Sequence, residues 1–356
     1  MVVVTFHRPT KSGPFDYAPN ARYVMNDGMM KKMLEADPTI EYSFSNYNAY
    51  EKKYSGQDLN GKRLLIYRPR SIGDQLITTA LVAFLKDRFP KCVIDYYCDP
   101  YVVPLWDGIP IFISPTPICF DGAKRSDYTL FLEGLYENDK EPDQDDCYTT
   151  MFRYAGFPSV DSKWKRPYLR FRPDELKRPA NAPDKYILVQ WEASAIYRSY
   201  PPRELAKTCV ELAKHLPVVI VGQYPYPYVH GPNVIDLRQK TPGFRSLVPW
   251  VANASAVLCP DSSIGHLAAC FPSVPVVSLW GSYDPRVRVA HYPNHIPLMA
   301  ERVCRFAPCF HGLVSEPPRG GCATATNDDP QSWVCGQIAA ITPDMIVNTL
   351  LTTVNK

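Results

Sequence analysis

Residues 257–285, VLCPDSSIGHLAACFPSVPVVSLWGSYDP, decide how the rest of the chain is read. With Ala256 they open on a short apolar strand ending at Cys259, then a polar turn, Pro260, Asp261, Ser262 and Ser263. A helix pattern runs through His266, Leu267, Ala268 and Ala269 and breaks at Phe271 and Pro272; a second apolar strand, residues 274–280, follows. Strand, turn, helix, strand is the unit from which parallel sheets are built. The turn sets small hydroxylated residues at a helix N-terminus, where unpaired N–H groups and the helix dipole favour an anion such as a diphosphate. Asp261, Ser262 and Ser263 read equally well as ordinary N-capping residues, which begin most helices.

Working outward, the same unit recurs. Residues 186–190 form a strand; a helix over 202–215 follows, with Leu205, Cys209, Leu212 and Ala213 on one face. Strands at 218–221 and 234–237 and a helix at 244–253 complete the run. Further upstream, residues 62–68, KRLLIYR, are a compact strand that runs into Pro69, Arg70, Ser71, Ile72, Gly73 and Asp74. A helix over 75–89 shows an apolar face of Leu76, Ile77, Ala80, Leu81 and Leu85, and residues 93–97 are the next strand. Its glycine-containing turn lies at the C-terminal end of a strand, where open parallel sheets place ligands. A strand at 129–132, a helix at 151–156 and a linker rich in Pro, Arg and Lys at 166–183 follow. After Trp280 the pattern is irregular up to a helix at 343–353. The expected architecture is α/β: an N-terminal extension (1–60), two doubly wound Rossmann-like domains (61–178 and 184–341) facing across a cleft, and a C-terminal helix (342–356).

The chain has 356 residues, 46% apolar, and a net charge of +3. That length allows about two domains, and the mild basicity argues against a dedicated nucleic-acid binder with a clustered basic face. No apolar run approaches the roughly 20 residues that span a bilayer, and the start lacks a secretory pattern, so a cytoplasmic protein is expected. Eleven cysteines, an odd number, suit reduced thiols. Cys92, Cys98, Cys209, Cys259 and Cys270 sit in apolar patterns as small core residues; Cys304, Cys309, Cys322 and Cys335 lack the close pair of a strong zinc signature. Residues 1–60 show little periodicity, with a short helix expected over 29–34; their aromatics Tyr42, Phe44, Tyr47, Tyr50 and Tyr54 read as a packed extension, or as an arm that stacks on an acceptor.

Four ordered pieces resemble glycosyltransferase family 9, the ADP-heptose:lipopolysaccharide heptosyltransferase-like proteins of GT-B fold. They are LLIYRPRSIGDQLITTALVAFLKDRFP; Arg198-Ser199-Tyr200-Pro201, similar to the family's Lys-x-Trp-Pro; the run from Asp236 to Thr241 followed by a helix and PDSSIGHLAA; and the cysteine-containing tail up to Ile341-Thr342-Pro343. The chain departs from the pattern at residues 1–60, at Ser263 for a glycine, at Arg198 for a lysine and at Tyr200 for a tryptophan.

The resemblance implies an inverting glycosyl transfer from a nucleotide-diphosphate sugar, with Asp74 as general base and Ser71, Gly73 and Arg70 on the acceptor side. It implies Arg198 for the diphosphate charge, with Ser194, Asp261, Ser262, Ser263 and His266 around the donor phosphates; Asp261 is expected to organise the loop. Each residue has a plainer role as well: Asp74 as a helix N-terminal carboxylate, Arg198 paired with Glu204 or Glu192, His266 as a structural histidine. No carboxylate pair stands at a strand end to carry a divalent ion; Asp145-Asp146, in an acidic loop at 139–146, and Asp328-Asp329 read as solvated surface, so no metal or cofactor is expected. The acceptor is a glycan or lipopolysaccharide, or, given the cations of Lys163-Trp164-Lys165-Arg166 and Lys177-Arg178, a modified base in DNA. A nucleotide-sugar epimerase and a non-catalytic nucleotide-sugar-binding protein are the competing readings.

Overall fold

A computed structural model describes residues 2–12, 15–25, 27–46, 52–115, 118–136, 145–309 and 335–354. Tyr47, Tyr50, Cys322, the Asp328-Asp329 pair and all but the last two residues of the acidic loop lie outside them. The chain divides into two compact units, Met1–Gln75 with Leu81–Leu135 and Met151–Val160, and Leu76–Ala80 with Tyr136–Thr150 and Asp161–Lys356.

The start of the first unit is more regular than its sequence pattern predicts. β1 (Val2–Phe6), β2 (Thr10–Ser12), β3 (Phe15–Tyr17), β4 (Arg22–Met25), α1 (Asp27–Ala36) and β5 (Tyr42–Asn46) come in succession. Where little regular structure was expected, β1 lies between β5 and β4 in an antiparallel sheet. Val4, Phe6, Tyr17, Met25, Met30 and Met33 close a small core of their own. Then come β6 (Arg63–Tyr67), α2 (Ile72–Arg88), β7 (Val93–Cys98), β8 (Phe112–Pro115), β9 (Ile118–Cys119), α3 (Phe120–Arg125), β10 (Tyr128–Phe131) and α4 (Cys147–Tyr154), whose residues up to Thr150 belong to the second unit. β9 adds to the antiparallel sheet beside β4. The other strands make a parallel sheet in the order β10-β6-β7-β8. Tyr54, offered by the sequence as a stacking residue, is fully buried against Tyr128 and Phe157.

The second unit holds β11 (Ile187–Val189), α5 (Pro202–Leu212), β12 (Val218–Ile220), β13 (Val234–Asp236), α6 (Val248–Ala252), β14 (Ala256–Pro260), α7 (Ser263–Ala268), β15 (Val276–Leu279), α8 (Pro285–Val289), β16 (His295–Leu298), α9 (Gly336–Ala339) and α10 (Pro343–Val354). Its strands are all parallel, in the order β13-β12-β11-β14-β15-β16. This is the doubly wound order 3-2-1-4-5-6. β11, β12, β14 and β15 are buried along their whole length, as continuous apolar runs must be in a sheet covered on both faces. β16 corrects the expectation of irregular chain after Trp280. Its Pro297 hides the strand pattern and is tolerated because β16 is an edge strand. α5 starts on Pro202, whose missing N–H costs nothing in a first turn.

Candidate functional site

In each parallel sheet the strand order reverses at one place, between β6 and β10 in the first unit and between β11 and β14 in the second. Ligands of such sheets bind beyond the carboxyl ends of the strands at that switch point.

At the first switch point β6 runs into Arg68, Pro69, Arg70 and Ser71 before α2 begins. Ser71 has φ +66°, a left-handed conformation rare for a residue with a side chain. Gln75, buried, holds the turn: its amide donates to the carbonyls of Arg68 (2.6 Å) and Arg70 (3.2 Å) and accepts from the Tyr96 hydroxyl (2.7 Å) and the Trp106 indole (3.2 Å). A buried amide left unpaired would cost about 1–3 kcal/mol, so these four bonds define where the turn runs. Asp74 lies in the first turn of α2 and is ion-paired with Arg68, which also donates to the Leu132 carbonyl (2.5 Å) just past β10. Arg70 and Ser71 are exposed and Gly73 half-buried, flanking that carboxylate. The sequence reading missed Arg68 and Gln75; a strand-end arginine and a helix glutamine carry no signal until the fold brings Leu132 and Tyr96 to them.

At the second switch point the loop after β11 carries Ser194 and, on a short 3-10 turn, Arg198. The Ala193 N–H donates to Ser199 Oγ (3.0 Å), closing the loop. Arg198 Nη1 donates to Asp261 Oδ2 (3.0 Å) and Nη2 to Ser194 Oγ (2.6 Å), while its guanidinium carbon lies 5.8 Å from the centre of the Tyr283 ring. Glu204 and Glu192, offered by the sequence as its partners, bind elsewhere: Glu204 to Lys207, and Glu192 to backbone N–H groups. Burial alone would raise the Asp261 carboxyl, but the charges of Arg198, Arg288 and His266 outweigh it and hold the group below its ordinary range. Arg198 Nε is buried and has no hydrogen-bond partner among the described residues. An oriented cation with a bare donor at a switch point is what an anionic ligand needs.

The turn after β14 departs from capping. Ser262 occupies the N-cap position with an extended backbone, but makes no side-chain cap bond; its Oγ donates to Gln190 Oε1 (2.7 Å), just past β11. Ser263 is the first residue of α7 and lies outside the positive-φ positions, so no glycine geometry is needed where the resemblance has one. His266 is buried, its Nδ1 2.7 Å from the Tyr292 hydroxyl. Glu192, also buried, accepts from the N–H groups of Gln223 and Tyr224 (3.0 Å to the latter) beyond Gly222, and burial raises its carboxyl despite those bonds. A Cβ on Gly222, at φ +148°, would meet that carboxylate at 2.8 Å.

Asp146 is a further correction: it is not solvated surface. It accepts from the N–H groups of Tyr148 and Thr149 (both 3.0 Å) at the start of α4 and from Lys165, and His291 Nε2 lies 3.1 Å from its carboxylate. Tyr200, standing for a tryptophan, is fully buried and donates to the Ile341 carbonyl (2.7 Å). Of the core cysteines, Cys92, Cys98, Cys209 and Cys259 are buried and Cys270 partly so. Cys304 is a free thiol, and among the described residues no three His, Cys, Asp or Glu side chains converge as a metal site. No described helix is long and apolar enough to cross a membrane.

No family model and no curated protein matches the sequence. Solved structures do match the fold. Escherichia coli ADP-heptose lps heptosyltransferase II superimposes at 14% identity over 82% of this chain and 98% of its own (TM-score 0.58). A glycosyl transferase family 9 protein of Veillonella parvula does so at 12% identity, 84% and 99% coverage (0.59). The iron-containing dodecameric glycosyltransferase TibC of enterotoxigenic E. coli matches at 14% identity over 99% of this chain and 90% of its own (0.59), a match that takes in the N-terminal sheet. TibC has also been solved with ADP-D-beta-D-heptose (0.58). This chain therefore has the fold of the family 9 heptosyltransferases.

Proposed function

We propose that the chain is an inverting glycosyltransferase that moves a sugar from a nucleotide-diphosphate sugar to a hydroxyl of a glycan or lipopolysaccharide acceptor. The observation that carries this reading is Arg198, held by Asp261 and Ser194 at the switch point of a doubly wound sheet with a buried, bare Nε. In this reading the two α/β units face each other across a cleft in the GT-B manner. The acceptor hydroxyl lies against Asp74, with Arg70, Ser71 and Gly73 around it. As the acceptor oxygen attacks the anomeric carbon, its proton passes to the Asp74 carboxylate; the bond from that carbon to the diphosphate breaks and its electron pair leaves with the nucleoside diphosphate. Arg198, the Ser262 and Ser263 turn and His266 meet the growing negative charge, an electrostatic role that acts most where charge develops.

Catalysis is proposed to use no divalent ion, because a fixed guanidinium stands where a metal would otherwise neutralise the diphosphate. The glycan acceptor is favoured over DNA because cations of the linker are used within the chain, Lys165 by Asp146 and Thr149, and Arg178 by Asp184. Free thiols at Cys92, Cys98, Cys209, Cys259, Cys270 and Cys304 suit the reducing cytoplasm. ADP is the first nucleotide to test, since TibC was solved with an ADP-sugar. In thermal unfolding, ADP at about 100 times its dissociation constant stabilises by roughly 2.7 kcal/mol. ADP release from an ADP-sugar, unchanged by EDTA, is the expected turnover; no stabilisation by ADP, GDP or UDP would overturn the reading.

A further inference from the structure

Beyond the ends of β6 and β7 the two chain segments stay paired for a few residues more. The Arg68 N–H donates to the Tyr97 carbonyl (3.1 Å), and the Asp99 N–H to the Pro69 carbonyl (2.7 Å). There the ladder has to stop, because Pro69 has no N–H to give and Ser71 turns left-handed at φ +66°. The Ser71 N–H goes instead to the phenol oxygen of Tyr101, at 3.1 Å. The Ser71 carbonyl accepts from the Gln75 N–H (3.0 Å), so the same residue opens α2, whose first turn carries Asp74.

Tyr101 belongs to a 3-10 segment, Pro100–Trp106, held in place by its buried residues Val102, Leu105 and Trp106. Tyr101 itself is 58% exposed. A lone exposed tyrosine means little. This one is fixed at both ends, its backbone by the segment and its hydroxyl by Ser71. The bond to Ser71 uses a lone pair and leaves the phenol its hydrogen. Partial burial, with the charges of Asp99 and Asp74, raises the phenol above its ordinary range against the pull of the Ser71 N–H and Arg70, so that hydrogen stays.

We propose that Tyr101 contacts the acceptor: its fixed, exposed ring is the surface on which a sugar ring of the acceptor lies, beside Asp74. The face of an aromatic ring is negative and the C–H groups on one face of a pyranose are weakly positive, so the two stack. The phenol hydrogen is then at the rim of the sugar, where its oxygens are. The charges that act on the phenol are two carboxylates, Asp99 and Asp74, and one guanidinium, Arg70, a balance that suits hydroxyl groups and disfavours a phosphate. Calling that sugar the acceptor rests on the proposed transfer reaction; the contact itself does not.

The contact can be read without turnover. Saturation-transfer NMR irradiates the aromatic protons of the full-length protein in the presence of methyl glucoside, methyl mannoside or methyl galactoside. At least one of these is expected to receive saturation on its ring C–H protons. Tyr101→Ala weakens that glycoside about 3- to 10-fold, the size of a lost aromatic contact. Tyr101→Phe keeps the ring and loses only the tie to Ser71, so its effect is the smaller of the two. The affinity for ADP, measured by calorimetry, is the same in both variants as in the native protein. No saturation of any of the three glycosides overturns the proposal, and so does undiminished binding in folded Tyr101→Ala. Equal losses in Tyr101→Phe and Tyr101→Ala also overturn it, since the phenol would then serve only to hold Ser71. If ADP does not bind at all, the transferase reading fails, while the sugar contact stands or falls on the NMR alone.

Discussion

At the switch point of the first sheet, an arginine with 7% of its side chain exposed holds an aspartate that is 20% exposed. At the second, an arginine 21% exposed holds an aspartate 7% exposed. The pair is the same and the exposures are exchanged. A buried ion pair is costly to break, because removing one partner strands the other charge. Burying the holding partner therefore fixes the orientation of the open one. By this logic Arg68 serves Asp74, which is open as a carboxylate, and Asp261 serves Arg198, which is open as a cation. The two ends of the proposed glycosyl transfer need a proton acceptor and a charge acceptor, and in that reading the two sheets would supply one each from the same pair of residue types.

The comparison can be broken most decisively at Asp74. Asp74→Asn keeps the shape of the turn but removes the base; turnover is expected to fall by about 10²- to 10⁴-fold while ADP binding, measured by calorimetry, stays as it was. Undiminished turnover would leave the first switch point without its assigned role. Arg198→Ala is the converse test, since it abandons a charged and buried Asp261. Denaturant unfolding should show a loss of about 3–5 kcal/mol. Adding Asp261→Ala should restore part of that stability but none of the ADP affinity; recovered affinity would mean that Arg198 does not hold the diphosphate.

The smallest effect serves as a control. Arg245 donates to Glu175 in the linker, a third arginine–carboxylate pair that stands at no switch point, with both side chains near 10% exposed. Hydrogen bonds from Arg245 pull the Glu175 carboxyl down to about 2 from 4.5. A depressed carboxyl contributes stability above its unfolded value that is lost as pH falls through the folded one. Glu175→Gln should therefore lower stability by about 1–3 kcal/mol at pH 7, with the gap closing between pH 4.5 and 2 and turnover unaffected. A change in turnover would erase the distinction between holding pairs at switch points and pairs elsewhere.

Much of this was legible in the residues, and the remainder was not for physical reasons. The parallel strands read clearly because a sheet covered on both faces demands unbroken apolar runs such as AVLC at β14. The N-terminal strands did not, because their meaning lies in distant partners: Tyr23 and Val24 pair with Cys119 and Ile118. Asp74, Arg198 and Asp261 could be picked out as residues of strand-end turns, but which charge is covered and which is open depends on neighbours such as Leu132, Ser194 and Tyr283. The Ser262 turn illustrates the limit. Local pattern favours a cap, yet Gln190 beyond the adjacent strand is where the hydroxyl goes. His266 was legible as a residue of interest and Tyr292, in the loop before β16, was not.

Glu192 and Gly222 occupy one volume between them: the carboxylate fills the space that any side chain at 222 would need. The two positions are therefore coupled in descent. A larger residue at 222 forces the Glu192 carboxylate to shift, and with it the anchor of the segment carrying Tyr224. Correlated change at this pair, among sequences otherwise free to drift, would mark which relatives have kept the same loop.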